Sequence, residues 1–89
     1  AYTLIGRSDP RHNILPDIDV SGLDTQRITS RQHACIEFEQ TSYTVSDLGS
    51  NNGTWLNGRR LQAKSPEPLA DGDELVLGKQ GVKLVFHRG

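Results

Sequence analysis

At 89 residues and a formal net charge of −1, the chain has the length of one domain and no basic field to attract nucleic acid or an anionic membrane. Hydrophobic residues make up 34%, enough for a thin two-layer core and little more. A single cysteine, Cys35, excludes an intrachain disulfide framework and a thiolate metal cluster, and no apolar run reaches membrane-spanning length.

Taken in chain order, the elements are strands. Tyr2 to Arg7 is rich in β-branched and aromatic residues and reads as the first. Asp9-Pro10 and Pro16-Asp17 punctuate the following segment as loop. Ala34, Ile36 and Phe38 then alternate with Cys35, Glu37 and Glu39, predicting a strand with one buried and one wetted face. Tyr43, Val45 and Asp47 alternate in the same way with Thr44, Ser46 and Leu48. Asn52-Gly53, Asn57-Gly58 and Asp71-Gly72 are short-turn signals, because both residue types accept positive φ. Pro66 and Pro68 mark further loop. Leu75 and Leu77 share a face, and Val82, Leu84 and Phe86 alternate with Lys83, Val85 and His87. No stretch keeps helical spacing for three turns, so the pattern predicts an all-β sandwich or barrel. The apolar closing strand calls for a neighbour on each side, which points to a piece of a larger protein or an edge covered by another chain.

Three polar inserts stand out between these strands. Arg7, directly after Gly6, presents five fixed donors on a charge that cannot be lost, which suits a phosphate dianion. Ser30-Arg31 pairs a hydroxyl donor with a second guanidinium, and the amides of Asn51 and Asn52 both donate and accept. An asparagine is suited to pairing with a peptide's own N–H and C=O groups. Brought together, these residues would hold a phosphate by charge-assisted bonds and clamp the neighbouring backbone.

Other chemistries fit less well. Ser30 and His33 with Asp19 or Asp47 spell a hydrolytic triad, but no Gly-x-Ser-x-Gly elbow surrounds the serine. Gly72 to Lys79 has the wrong glycine spacing for a phosphate-binding loop and no hydroxyl residue after the lysine. Asn52-Gly53-Thr54 is a formal glycosylation sequon without a secretory signal layout beside it. His12, His33, His87 and Cys35 are too scattered for a metal site. Arg59 and Arg60 read as a solvated pair, and Trp55 as packing beside a turn. The expectation is a non-enzymatic, cytoplasmic domain with no cofactor and no metal.

In order, Gly6-Arg7, Ser30-Arg31-x-His33-Ala34 and Asp47-Leu48-Gly49-Ser50-x-Asn52-Gly53-Thr54 with Asn57-Gly58 resemble a forkhead-associated (FHA) domain. The likeness extends over most of the chain, including Asp17 to Val20 and the Asp71-Gly72-Asp73 turn. It implies a two-sheet antiparallel β-sandwich of the FHA type, lacking the first one or two family strands, with residues 1–89 excised from a larger protein. It implies a phosphothreonine-dependent peptide- or protein-binding module in Ser/Thr kinase signalling. In that role Arg7 and Ser30 bind the phosphate and Arg31 adds a contact. Asn52 binds the peptide main chain just past the phosphoresidue, and Asn51 stands where the family often has threonine, near the phosphate and the threonine methyl. Gly6, His33 and Gly53 support the site, and Ile28 reads the third residue after the mark. Thr29 departs from the usual aliphatic residue before the serine. The competing reading is a phosphate-independent assembly or dimerisation module that uses a sandwich face or the exposed terminal edge strand.

Overall fold

The computed structural model describes residues 1–88. One sheet holds β1 (Tyr2–Gly6), β2 (Ile18–Asp19), β3 (Ala34–Glu39), β4 (Ser42–Asp47) and β7 (Glu67–Leu69). The other holds β5 (Thr54–Leu56), β6 (Arg59–Arg60), β8 (Glu74–Leu77) and β9 (Val82–Val85). Their orders are β2-β1-β3-β4-β7 and β6-β5-β8-β9. Alternation along the strands sends Ile5, Ala34 and Val45 from the first sheet against Leu56, Leu75 and Leu77 from the second, forming one buried core. Phe38, Tyr43 and Phe86 stack beside it, with ring centroids 4.5 and 5.0 Å apart in sequence.

Four features differ from the pattern read in the sequence. β1 and β2 run parallel, Ile5 opposite Ile18 and Gly6 opposite Asp19, so the first sheet is mixed rather than antiparallel throughout. The long Arg7–Asp17 connection, containing a 3-10 turn at Pro10–His12, carries the chain back to start β2 beside β1. Second, the Pro66–Pro68 region is not wholly loop: β7 pairs Pro68 with Thr44 at the sheet's edge. An edge strand has an open side toward which a proline's missing N–H can point. Third, Cys35 is 2% exposed and does not sit on a wetted face. It registers with Ser46 in the middle of the sheet, where small side chains are shielded by the strands on either side. Burial pushes its thiol pKa up, which disfavours the thiolate form. Fourth, the β3–β4 hairpin turns at Gln40 and Thr41, with φ of 51° and 71°, although neither residue is a turn signal. The Asn57-Gly58 turn, with φ of 50° and 84°, has the two left-handed residues of a type I′ hairpin.

Register decides where the loops go. Ile5, Ala34 and Asp47 lie side by side in the first sheet. Thr54 and Leu77 pair in the second, and Leu77 pairs onward with Val82. The segments following β1, β4 and β8 and preceding β3, β5 and β9 therefore emerge at one end of the sandwich. At its flank, β9 pairs only with β8 among the described residues.

Candidate functional site

Gly6 packs directly against the backbone of the neighbouring loop. A Cβ built there would lie 1.9 Å from the Arg31 carbonyl oxygen, so only glycine lets β1 press against the Ser30-Arg31 segment. Across this approach the Arg7 amide donates to the Ser30 carbonyl at 3.2 Å, and the His33 amide donates to the Ile5 carbonyl at 3.0 Å. Arg7 also donates through Nε to the Thr29 carbonyl at 3.2 Å. That bond fixes the guanidinium, and its two terminal nitrogens have no hydrogen-bond partner among the described residues.

His33, fully buried, ties two loops together. Its Nδ1 accepts from the Ser30 amide at 3.0 Å, so that nitrogen carries no proton. Its Nε2 therefore donates to the Gly53 carbonyl, 2.7 Å away. Burial lowers the imidazole pKa, partly opposed by the bond to Gly53 and the charge of Asp47. Because both ring nitrogens are engaged, none is left to activate the Ser30 hydroxyl. That hydroxyl instead accepts from the Asn51 amide at 3.2 Å, which leaves its own proton to donate outward.

Two buried aspartates shape the loops, and sequence reading did not single out either for this role. Asp24 accepts from the amides of Ile28 at 3.0 Å and Thr29 at 2.8 Å, closing the loop that ends at Ser30. Asp47 accepts from the amides of Gly49 and Ser50 and the hydroxyls of Ser50 and Thr54. For both, burial alone would raise the carboxyl pKa, but the donated bonds outweigh it and hold each below the usual value. The available signal was an aspartate a few residues before a polar turn, the pattern of side chains that bond nearby backbone amides.

Asn52 reaches across to the other loop, donating through Nδ2 to the Ile28 carbonyl at 2.8 Å. Its Oδ1 remains an acceptor. The Gly78 amide donates to the Gly53 carbonyl at 2.8 Å, joining the β8–β9 turn to the same cluster. Ile28 packs over that turn, its Cδ1 lying 3.0 Å from where a Gly78 Cβ would stand.

Arg7, Ile28, Ser30, Arg31, Asn51 and Asn52 line one open cavity of about 320 Å³. Gly6, His33 and Gly53 lie beneath it and do not line it. Arg27, which sequence reading passed over, lines it too. Arg31 is paired with Asp9, Nη1 to Oδ2 at 3.1 Å. Arg59 and Arg60 are away from this cavity: Arg59 pairs with Glu67 at 3.2 Å, and Arg60 lies 5.2 Å over the Trp55 ring. The cavity can present three guanidinium groups, one of them paired with Asp9, a hydroxyl donor and an amide acceptor to an anion with an attached chain.

A small β-sandwich with an arginine-, serine- and asparagine-lined recess at its loop end defines a phosphopeptide-binding class of module. The chain belongs to the FHA family, whose model, described as "FHA domain", matches residues 3–78. Members of this family are non-catalytic phosphothreonine-peptide-binding modules. It is similar to Protein FraH of Nostoc sp., with 41% identity over 70 residues, covering 79% of this chain and 24% of that protein. The glycogen accumulation regulator GarA of Mycobacterium tuberculosis is 35% identical over 89 residues, 100% of this chain and 46% of that one. The chain thus spans about a quarter to a half of these curated relatives. Among solved structures, the N-terminal FHA domain of S. cerevisiae Rad53p in complex with a phosphothreonine peptide superposes with a TM-score of 0.73. That match has 27% identity and covers 90% of this chain and 58% of that one.

Proposed function

We propose that this domain docks proteins carrying phosphothreonine, as a reader of Ser/Thr kinase signalling in the cytoplasm. The terminal nitrogens of Arg7, the Ser30 hydroxyl and Arg31 hold the phosphate, with Asn51 beside it near the threonine methyl. Asn52 accepts from a main-chain N–H just past the phosphoresidue. Ile28, packed over the β8–β9 turn, favours an apolar side chain three residues after the mark. The observation that carries this reading is convergence: side chains from three separate loops line one cavity, with the terminal nitrogens of Arg7 and the Ser30 hydroxyl proton unpaired among the described residues. Calorimetric titration with matched threonine and phosphothreonine peptides tests it. Binding is expected only to the phosphorylated form, and equal affinity for both would overturn the reading.

The competing reading, phosphate-independent self-association through β9, has one observation in its favour. That strand's outer edge is unpaired among the described residues, and Val85 on it is 49% exposed. Sedimentation separates the two. Self-association that survives Arg7→Ala but is broken by Val85→Lys would favour assembly, whereas a monomer in all forms favours the phosphopeptide reader.

A further inference from the structure

A second cavity, of about 330 Å³, adjoins the first and shares Arg7, Arg27 and Arg31 with it. Its remaining wall includes Arg11 and Asp9. Four of the chain's ten basic residues thus meet here, although the whole molecule carries a net charge of −1. Against four guanidinium groups the wall supplies one carboxylate. Asp9 is already engaged, with His12 Nδ1 at 2.8 Å and Arg31 at 3.1 Å. The His12 bond, with Arg31 and Arg11 nearby, lowers its pKa and keeps it ionised. Arg11 and Arg27 form no ion pair among the described residues. Arg27 occupies a left-handed backbone position, φ 55°, which a long side chain rarely adopts.

Charge counting gives these groups a use. A phosphothreonine dianion, about −1.5 to −2, and the Asp9 carboxylate together offset about three of the four guanidinium charges. About one positive charge is then left over, carried by Arg11 and Arg27, which are both exposed. Direction follows from the other flank. Ile28 and Asn52 line the phosphate cavity but not the second one, so the second lies away from the residues that follow the mark.

We infer that the second cavity binds a further anionic group on the same peptide, placed before the phosphothreonine: a carboxylate side chain or a second phosphate. This rests on the phosphothreonine reading and narrows its ligand to doubly anionic segments. Arg11 and Arg27 hold the added anion, while the excess of guanidinium charge over the single Asp9 carboxylate disfavours basic residues.

The test is calorimetric titration of the domain with an alanine-based peptide carrying one phosphothreonine and an isoleucine three residues after it. Variants place glutamate, or a second phosphothreonine, two to four residues upstream, and a control places glutamate downstream. Upstream glutamate is expected to tighten binding about three- to tenfold and an upstream phosphate tenfold or more, with no gain downstream. Arg11→Ala should abolish the gain and leave affinity for the reference peptide unchanged. A gain from glutamate alone, or from phosphate alone, identifies which anion the cavity takes. Equal affinity for reference and upstream variants overturns the inference while leaving the phosphothreonine reading intact. So does a gain that is the same downstream or persists in Arg11→Ala, since either is long-range attraction. A reference peptide that binds no better than its unphosphorylated form sinks both readings at once.

Discussion

At the loop end of the sandwich, Asp24, His33, Asp47 and Thr54 are buried polar groups, and each is bonded to a neighbouring loop or strand end. At the β9 edge the lining changes character. Ile5, Ile36, Leu84 and Phe86 surround an apolar recess of about 170 Å³, beside a strand with no outer partner among the described residues. Directional bonds fix the first region, whereas area and shape fix the second. A site that must place several donors around one anion needs the first kind of support, because side chains on merely packed loops would drift. The same dependence makes the loop end sensitive to single polar changes that the edge would tolerate.

Asp47→Ala breaks that support most severely. It strips the acceptor from two amides and two hydroxyls, three of those donors belonging to the loop that leads to Asn51. Urea unfolding should show a loss of about 3 kcal/mol or more, since several bonds to a charged acceptor go at once. A loss under about 1 kcal/mol would mean that water replaces the carboxylate and that the loop is not held by it.

Arg7→Ala comes next and separates the two regions by function. Net bonds to charged groups contribute about 1.5–3 kcal/mol, so phosphopeptide affinity should fall by about ten- to a hundredfold. Val85→Lys, on the exposed outer side of β9, should leave that affinity within about twofold, because surface changes distant from a site couple weakly to it. Titration of both variants with one phosphopeptide makes the contrast. Comparable losses in the two would show that the edge and the loop end act as one unit.

The sequence disclosed these regions unequally. Period-two alternation located β3, β4, β8 and β9, and the turn dipeptide Asn57-Gly58 located a hairpin. It hid β2, β6 and β7, which are two or three residues long, too short for a periodic signal. Pro68 read as a breaker because edge position, which makes it tolerable, is a tertiary fact. For the site, Arg7, Ser30 and Asn52 were visible as polar inserts between strands. Asp24 was missed, because its partners are the backbone amides of Ile28 and Thr29 and only its place a few residues before a polar turn hints at them. Arg11 and Arg27 drew no notice in the sequence, since only the fold brings them beside Arg7 and Arg31.

Acid should weaken the domain in two separable ways. Peptide affinity falls below about pH 6 as the phosphate takes up its second proton. Stability of the free domain falls too, through His33. Its folded pKa lies below the unfolded value of about 6.5, so as pH drops through 6.5 the unfolded chain gains a proton that the native state refuses. The contribution of the neutral imidazole is thus present above pH 6.5 and lost as pH falls toward the folded pKa. Urea unfolding between pH 7.5 and 5 should show a slope that flattens in His33→Asn. Asp24 and Asp47, held below their usual pKa, act only at lower pH. An unchanged slope would place the titrating group elsewhere.

The smallest effect tests how well the loop end is satisfied. Thr29 is 2% exposed, and among the described residues its buried Oγ1 has no partner within hydrogen-bonding geometry, although the hydroxyl lies near enough to the Asp24 carboxylate to help lower its pKa. Its backbone is fully used, the amide bonding Asp24 and the carbonyl bonding Arg7. Thr29→Val keeps the branched shape and both backbone bonds while removing the unpaired hydroxyl. The change should stabilise the domain by about 1 kcal/mol, the lower end of the cost of an unsatisfied buried group. For a domain of this size that raises Tm by about 4–8 °C. Phosphopeptide affinity should stay within about twofold, because Arg7 keeps its anchor on the Thr29 carbonyl. A fall in Tm instead would show that the hydroxyl is spent on a bond to the Asp24 carboxylate, and that the loop end tolerates no apolar replacement even there.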